Sequence, residues 1–131
     1  MNKKEYKQQN EAYIAQIAQQ KGIKSLPANI YYEELAKGNG PKPNSRSLVT
    51  VYYKGSLING TVFDDNTRQG YPDAFRLTDL IGGWQVALTQ MNVGSKWRIY
   101  IPANMGYGKL SQPGIPVHST LVFEIELVGI G

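Results

Sequence analysis

The chain of 131 residues contains no cysteine, a single histidine and no apolar run long enough to span a bilayer. Without cysteine there are no thiol nucleophiles, disulfides or thiolate metal sites, and the redox compartment stays open. With His118 alone, metal centres built on several histidines are excluded by count. A Ser/His/Asp device would have to use His118 as base, and no Gly-x-Ser-x-Gly turn accompanies it. Phosphate-cradling glycine motifs are also missing. The 14 basic residues outnumber the 10 acidic ones for a net charge of +4. They form no block, so nucleic acid is not an expected partner.

What is present is glycine, proline and aromatic residues: 14 Gly, 7 Pro, 9 Tyr, 3 Phe and 2 Trp. That balance favours strands and turns around one core, which a chain of this length can build without a metal or a disulfide. The polar start Met1-Asn2-Lys3-Lys4 leads into no signal-peptide core. Either the protein is cytoplasmic or an export segment has been removed.

From about Lys3 to Gln20, helix formers carry Tyr6, Tyr13, Ile14, Ile17 and Ala18 along one side, and Lys21-Gly22 offers a C-terminal cap. We read an amphipathic arm over residues 1–26 whose stripe docks on the following domain, 27–131, ahead of a dimer contact. Ile30 to Leu35 and Leu48 to Lys54 have strand composition. Leu57-Ile58 and Thr61-Val62-Phe63 flank Asn59-Gly60, the preferred dipeptide of a type I′ hairpin. Trp84, Ala87, Leu88 and Met91 recur at helical spacing, the one strong helix signal inside the domain. Lys96 to Ile101 alternates. So does Leu121 to Leu127, with Leu121, Phe123, Ile125 and Leu127 on one face and Glu124 and Glu126 on the other. The fold expected is α+β, an antiparallel sheet over one short helix with a helical arm in front.

Several segments occur together in a telling order: Val51-Tyr52-Tyr53-Lys54-Gly55, Val62-Phe63-Asp64, Leu80-Ile81-Gly82-Gly83-Trp84, Met91-Asn92-Val93-Gly94, Ile101-Pro102 with Tyr107-Gly108, Ile115-Pro116, and Ser119 to Leu127. Their order and spacing resemble the FKBP-type peptidyl-prolyl cis/trans isomerases, and arm plus core is similar to bacterial members of the Mip type. The resemblance implies a curled antiparallel sheet of five or six strands wrapped around the Trp84 helix. It implies an apolar pocket with Trp84 as floor and Tyr53, Phe63, Leu80, Ile81, Ile115 and Phe123 as walls. Tyr107 would offer a hydroxyl and Ile81 a backbone N–H to substrate carbonyls, and Asp64 would lie at the rim.

The activity implied is rotation about X-Pro bonds without covalent or acid/base chemistry, metal or cofactor. Proline-containing polypeptides are the expected substrates and macrolides are possible ligands. The alternative is a proline-peptide binding or chaperone module with little turnover. A monomer is expected, and the cell envelope or periplasm is expected ahead of the cytoplasm. Three features depart from the pattern. Arg68 stands one position from where the family places an arginine paired to the aspartate matching Asp64. Asp73 or Ala74 stands where some relatives carry a wall aromatic, and the loop Lys109 to Gly114 is a residue shorter. Because the motifs begin after residue 26, the arm is expected to be separable from the chemistry.

Overall fold

In a computed structural model that describes all 131 residues, seven antiparallel strands form one open sheet and two helices pack on its opposite faces. The arm helix α1 spans Lys3–Ile17. Asn2 caps it reciprocally: its Oδ1 accepts from the Glu5 N–H at 2.8 Å, and its Nδ2 donates to the Glu5 carboxylate at 2.8 Å. The helix ends three residues earlier than its helix-former composition predicts, with Ala18 as cap, and Gly22 takes a positive φ in the turn that follows.

The strands are β1 Lys24–Leu26, β2 Ile30–Ala36, β3 Leu48–Ser56, β4 Val62–Asp65, β5 Asp73–Arg76, β6 Lys96–Ile101 and β7 Leu121–Ile130. Their order is β1-β2-β6-β7-β3-β4, with β5 also on β3. The count exceeds five or six because β1 has three residues and β5 four, too short for alternation to mark them in the sequence. β1 also shows that the sheet begins inside the segment assigned to the arm.

The Asn59-Gly60 hairpin forms, but not as a type I′ turn. Only Gly60 has a positive φ, the Gly60 N–H bonds Leu57 O at 2.9 Å, and the Leu57 N–H bonds Thr61 O at 2.9 Å. The left-handed glycine closes a three-residue loop, and the register shift between Gly55 and Ser56 lies beyond it, with Phe63 as the extra residue of β4.

Alternation fixes the two faces. Trp97, Ile99 and Ile101 of β6 and Leu121, Phe123, Ile125 and Leu127 of β7 turn inward. There they meet Trp84, Ala87, Leu88 and Met91, three of them from α2, Gly82–Leu88, and Met91 from just beyond it. Close approach of α2 to β6 depends on Gly83, where a Cβ would come within 2.5 Å of Ile101 Cγ2. On the outer face Tyr100 and Val122 pack with Ile14 and Ile17 of the arm, a small second core. Arg98, also outward, bonds Glu124 of β7 at 2.7 Å and Glu33 of β2 at 3.0 Å. The arm stripe thus docks on its own domain, as its apolar spacing predicts.

Candidate active site

One edge of β3 changes partner midway: Leu48 to Val51 pair with β5, and Lys54 to Ser56 pair with β4. The backbone groups between would be buried without partners, a cost of about 1–3 kcal/mol each. Asn66 supplies them. Its Oδ1 accepts from the Tyr53 N–H at 2.7 Å, its own N–H bonds Tyr53 O at 3.1 Å, and its Nδ2 bonds Val51 O at 3.1 Å. The split lets β4 and β5 diverge, and a pocket opens between them, the start of α2 and the start of β7.

The pocket has a volume of about 390 Å³. Trp84, 4% exposed, forms its floor from the first turn of α2. Around it the rings stand edge to face: Tyr53 at 5.2 Å, Phe123 at 5.3 Å and Phe75 at 6.1 Å between centroids. Phe63 leans on Phe123 at 5.6 Å. Each such pair contributes roughly 0.5–1.5 kcal/mol beyond its burial, which makes the box rigid as well as apolar. Gly55 makes room for it, since a Cβ there would lie 2.6 Å from Phe123 Cε1 and 2.7 Å from Phe63 Cζ.

Leu80, Ile81 and Ile115 complete the apolar walls. Polar groups lie around them. The Tyr53 hydroxyl donates to Asp64 Oδ2 at 2.7 Å. Burial, and then this bond, push the Tyr53 phenol well above its ordinary pKa, so it remains a donor throughout the neutral range. Neither the Ile81 N–H nor the Tyr107 hydroxyl has an acceptor within the protein, and both residues line the pocket. Two unused donors beside an apolar box suit a ligand that carries carbonyl groups.

Nine of the ten residues singled out from the sequence therefore come together: Tyr53, Phe63, Asp64, Leu80, Ile81, Trp84, Tyr107, Ile115 and Phe123. Arg68 does not join them. It lies exposed on the loop after β4 and makes no ion pair with Asp64, whose carboxylate is taken by Tyr53; the chain's ion pairs belong to Arg98. The neighbouring carboxylate, Asp65, points into a separate turn. Hydrogen bonds from the Thr67 hydroxyl and N–H hold it below the usual carboxylate range, and Lys54 and Arg68 add smaller contributions.

The sequence reading missed Phe75, the wall aromatic sought at Asp73 or Ala74. It sits one position later in β5, where its pairing with Val49 fixes it on the inner face. Asp79, Gln112 and Pro113 also border the pocket, and nothing in their local sequence marks them out.

A larger cleft of about 490 Å³ runs between α1 and the turn at Ala103–Met105. Its lining is mostly polar, from Lys7 and Glu11 to Asn104 and His118, and it contains no aromatic ring apart from that imidazole. Size alone would favour it. Complementarity to a prolyl ring favours the smaller pocket.

Comparison with known proteins agrees. The family described as "FKBP-type peptidyl-prolyl cis-trans isomerase" matches residues 40–128. The peptidyl-prolyl cis-trans isomerase Mip of Coxiella burnetii is 39% identical over 124 residues, covering 94% of this chain and 54% of that protein. The outer membrane protein MIP of Legionella longbeachae is 39% identical over 132 residues, covering 98% of this chain and 57% of that protein. The chain thus spans little more than half the length of these curated relatives. Among solved structures, a peptidyl-prolyl cis-trans isomerase from Pseudomonas syringae pv. tomato superposes with a TM-score of 0.92 at 36% identity, covering 100% of this chain and 97% of the other.

Proposed function

This chain belongs to the FKBP-type peptidyl-prolyl cis-trans isomerase family, and from that premise we propose that it accelerates cis/trans rotation of X-Pro bonds in polypeptide substrates. The observation that carries the reading is the ring box on Trp84 with the free Ile81 N–H and Tyr107 hydroxyl beside it.

Rotation about a peptide C–N bond must cross ~18–20 kcal/mol, because the planar form has partial double-bond character. Planarity also separates charge, negative on oxygen and positive on nitrogen. A twisted amide has lost that polarity, so an apolar pocket favours it over the planar ground state. Trp84, Tyr53, Phe63, Phe75 and Phe123 provide such surroundings for the prolyl ring. The two donors hold flanking carbonyls in a bent chain whose fit improves toward the twisted state. Asp64, held by Tyr53, is a fixed polar group at the rim. No proton needs to move, so rotation in this pocket requires no base, metal or cofactor.

No helix is long and apolar enough to cross a membrane. The name of the Legionella relative, an outer membrane protein, supports a place in the cell envelope. The activity is tested by following the cis-to-trans relaxation of a proline tetrapeptide after a solvent jump. Acceleration proportional to protein concentration and indifferent to chelators is expected. No acceleration, with the peptide still bound, would leave a binding module.

A further inference from the structure

The arm that the order of motifs sets apart from the pocket is bonded to the segment that carries one of its walls. Asn10 is 2% exposed, a polar residue on the buried face of α1. Its Oδ1 accepts from the Thr120 N–H at 2.7 Å, its backbone carbonyl accepts from the Thr120 hydroxyl at 3.3 Å, and its Nδ2 donates to Tyr6 O at 2.8 Å. One turn earlier, the Tyr6 hydroxyl lies 2.7 Å from Ser119 Oγ. The single Ser119 proton is committed to Pro116 O at 2.7 Å, so Tyr6 is the donor in that pair. A relay therefore runs from Tyr6 through Ser119 to Pro116, the residue bonded to Ile115.

The same segment reaches the other side of the pocket. The His118 N–H bonds Gly108 O at 2.8 Å, next to Tyr107, and the Ile115 N–H bonds Gln112 O at 3.0 Å. Ile115 and Tyr107 are thus tied into one unit, and that unit is anchored outside the domain only by α1. Ser119 and Thr120 are 3% and 2% exposed, so water does not substitute easily for a lost partner.

We propose that Tyr6 and Asn10 are positioning residues for the isomerase site: through Ser119 and Thr120 they fix the 115–118 segment and with it the Ile115 wall and the Tyr107 donor. This rests on the isomerase reading of the pocket. It makes the arm part of the site's support, and motion of α1 would alter substrate affinity without any contact to substrate.

The test uses the full chain with Tyr6→Phe, Ser119→Ala, their double variant and Asn10→Ala. It compares kcat/KM on a proline tetrapeptide at a temperature well below unfolding, together with amide shifts of Ile115 and Tyr107. Tyr6→Phe, which removes only a hydroxyl, should lower kcat/KM by roughly three- to tenfold, mainly through KM. It should also shift both amides. The double variant should be no worse than Ser119→Ala alone, because both act on one relay. Lowered thermal stability with unchanged kcat/KM and unmoved amides would overturn the proposal and leave the arm a structural brace. A parent chain without isomerase activity would defeat the proposed function instead, and the amide shifts would still report whether the arm sets the wall.

Discussion

Tyr53 and Asp64 come from neighbouring strands and meet at the pocket rim, the phenol donating to the carboxylate at 2.7 Å while the ring beneath it stacks edge-on to Trp84. One side chain thus serves both the apolar box and its polar edge. The pairing holds Asp64 without a cation, and Arg68 makes no ion pair with it.

Tyr53→Phe separates the two roles. The ring stays, so stability at neutral pH should fall by only about 0.5–1.5 kcal/mol, while substrate affinity drops as Asp64 loses its partner. The phenol's pKa is raised in the folded state above its unfolded value near 10. Above that value the unfolded chain releases a proton that the folded chain keeps, so the contribution is fully present below about pH 10 and is lost as pH rises beyond it. Urea unfolding at pH 8 and pH 10.5 should show a smaller alkaline loss for Tyr53→Phe than for the parent. Equal losses would contradict the assignment.

Gly55→Ala should damage the site more than its size suggests. The new methyl would meet Phe123 and Phe63 at 2.6 and 2.7 Å, and overpacking of this kind typically costs about 1–3 kcal/mol. Denaturant midpoints and peptide turnover should both fall. Gly129→Ala, with nothing within 4 Å and no positive φ, should change neither.

Tyr107→Phe removes a hydroxyl that bonds no protein atom. The melting temperature should remain that of the parent, and peptide or macrolide affinity should fall by roughly fivefold, the worth of one hydrogen bond. Unchanged affinity would remove Tyr107 from the site.

How legible this was in the sequence differs by feature. The inner face of β7 was open to reading because Leu121, Phe123, Ile125 and Leu127 alternate without interruption, and Trp84 stood out on a short helical repeat. Asn10 and Asn66 were not. Both are buried polar residues that complete backbone groups on another element, Asn10 on Thr120, 110 residues away, and Asn66 on Tyr53 and Val51 of β3, 13 and 15 residues away, and no local pattern reports such partners. Phe75 was missed by a single register step in a strand too short to show its own alternation.

His118 tests whether the chemistry involves a proton. Its φ of +65° is a left-handed conformation that Asn tolerates better than most residues, and its N–H holds Gly108. His118→Asn should be at least as stable as the parent. Turnover measured between about pH 5.5 and 8.5, a window that brackets an ordinary histidine, should be flat for both. A titration in the parent that disappears in a folded variant would show His118 acting as acid or base.

The central claim is that this chain turns over proline bonds and does not merely hold them. It is tested most directly on the refolding of a protein whose slow phase is limited by prolyl isomerisation, tens of seconds to minutes unaided. With the chain present at about one-hundredth of the substrate concentration, the slow rate should increase in proportion to the chain added, with the final yield unchanged and chelator without effect. A slow phase that keeps its rate at every concentration, or slows as the chain approaches stoichiometry, would contradict catalysis.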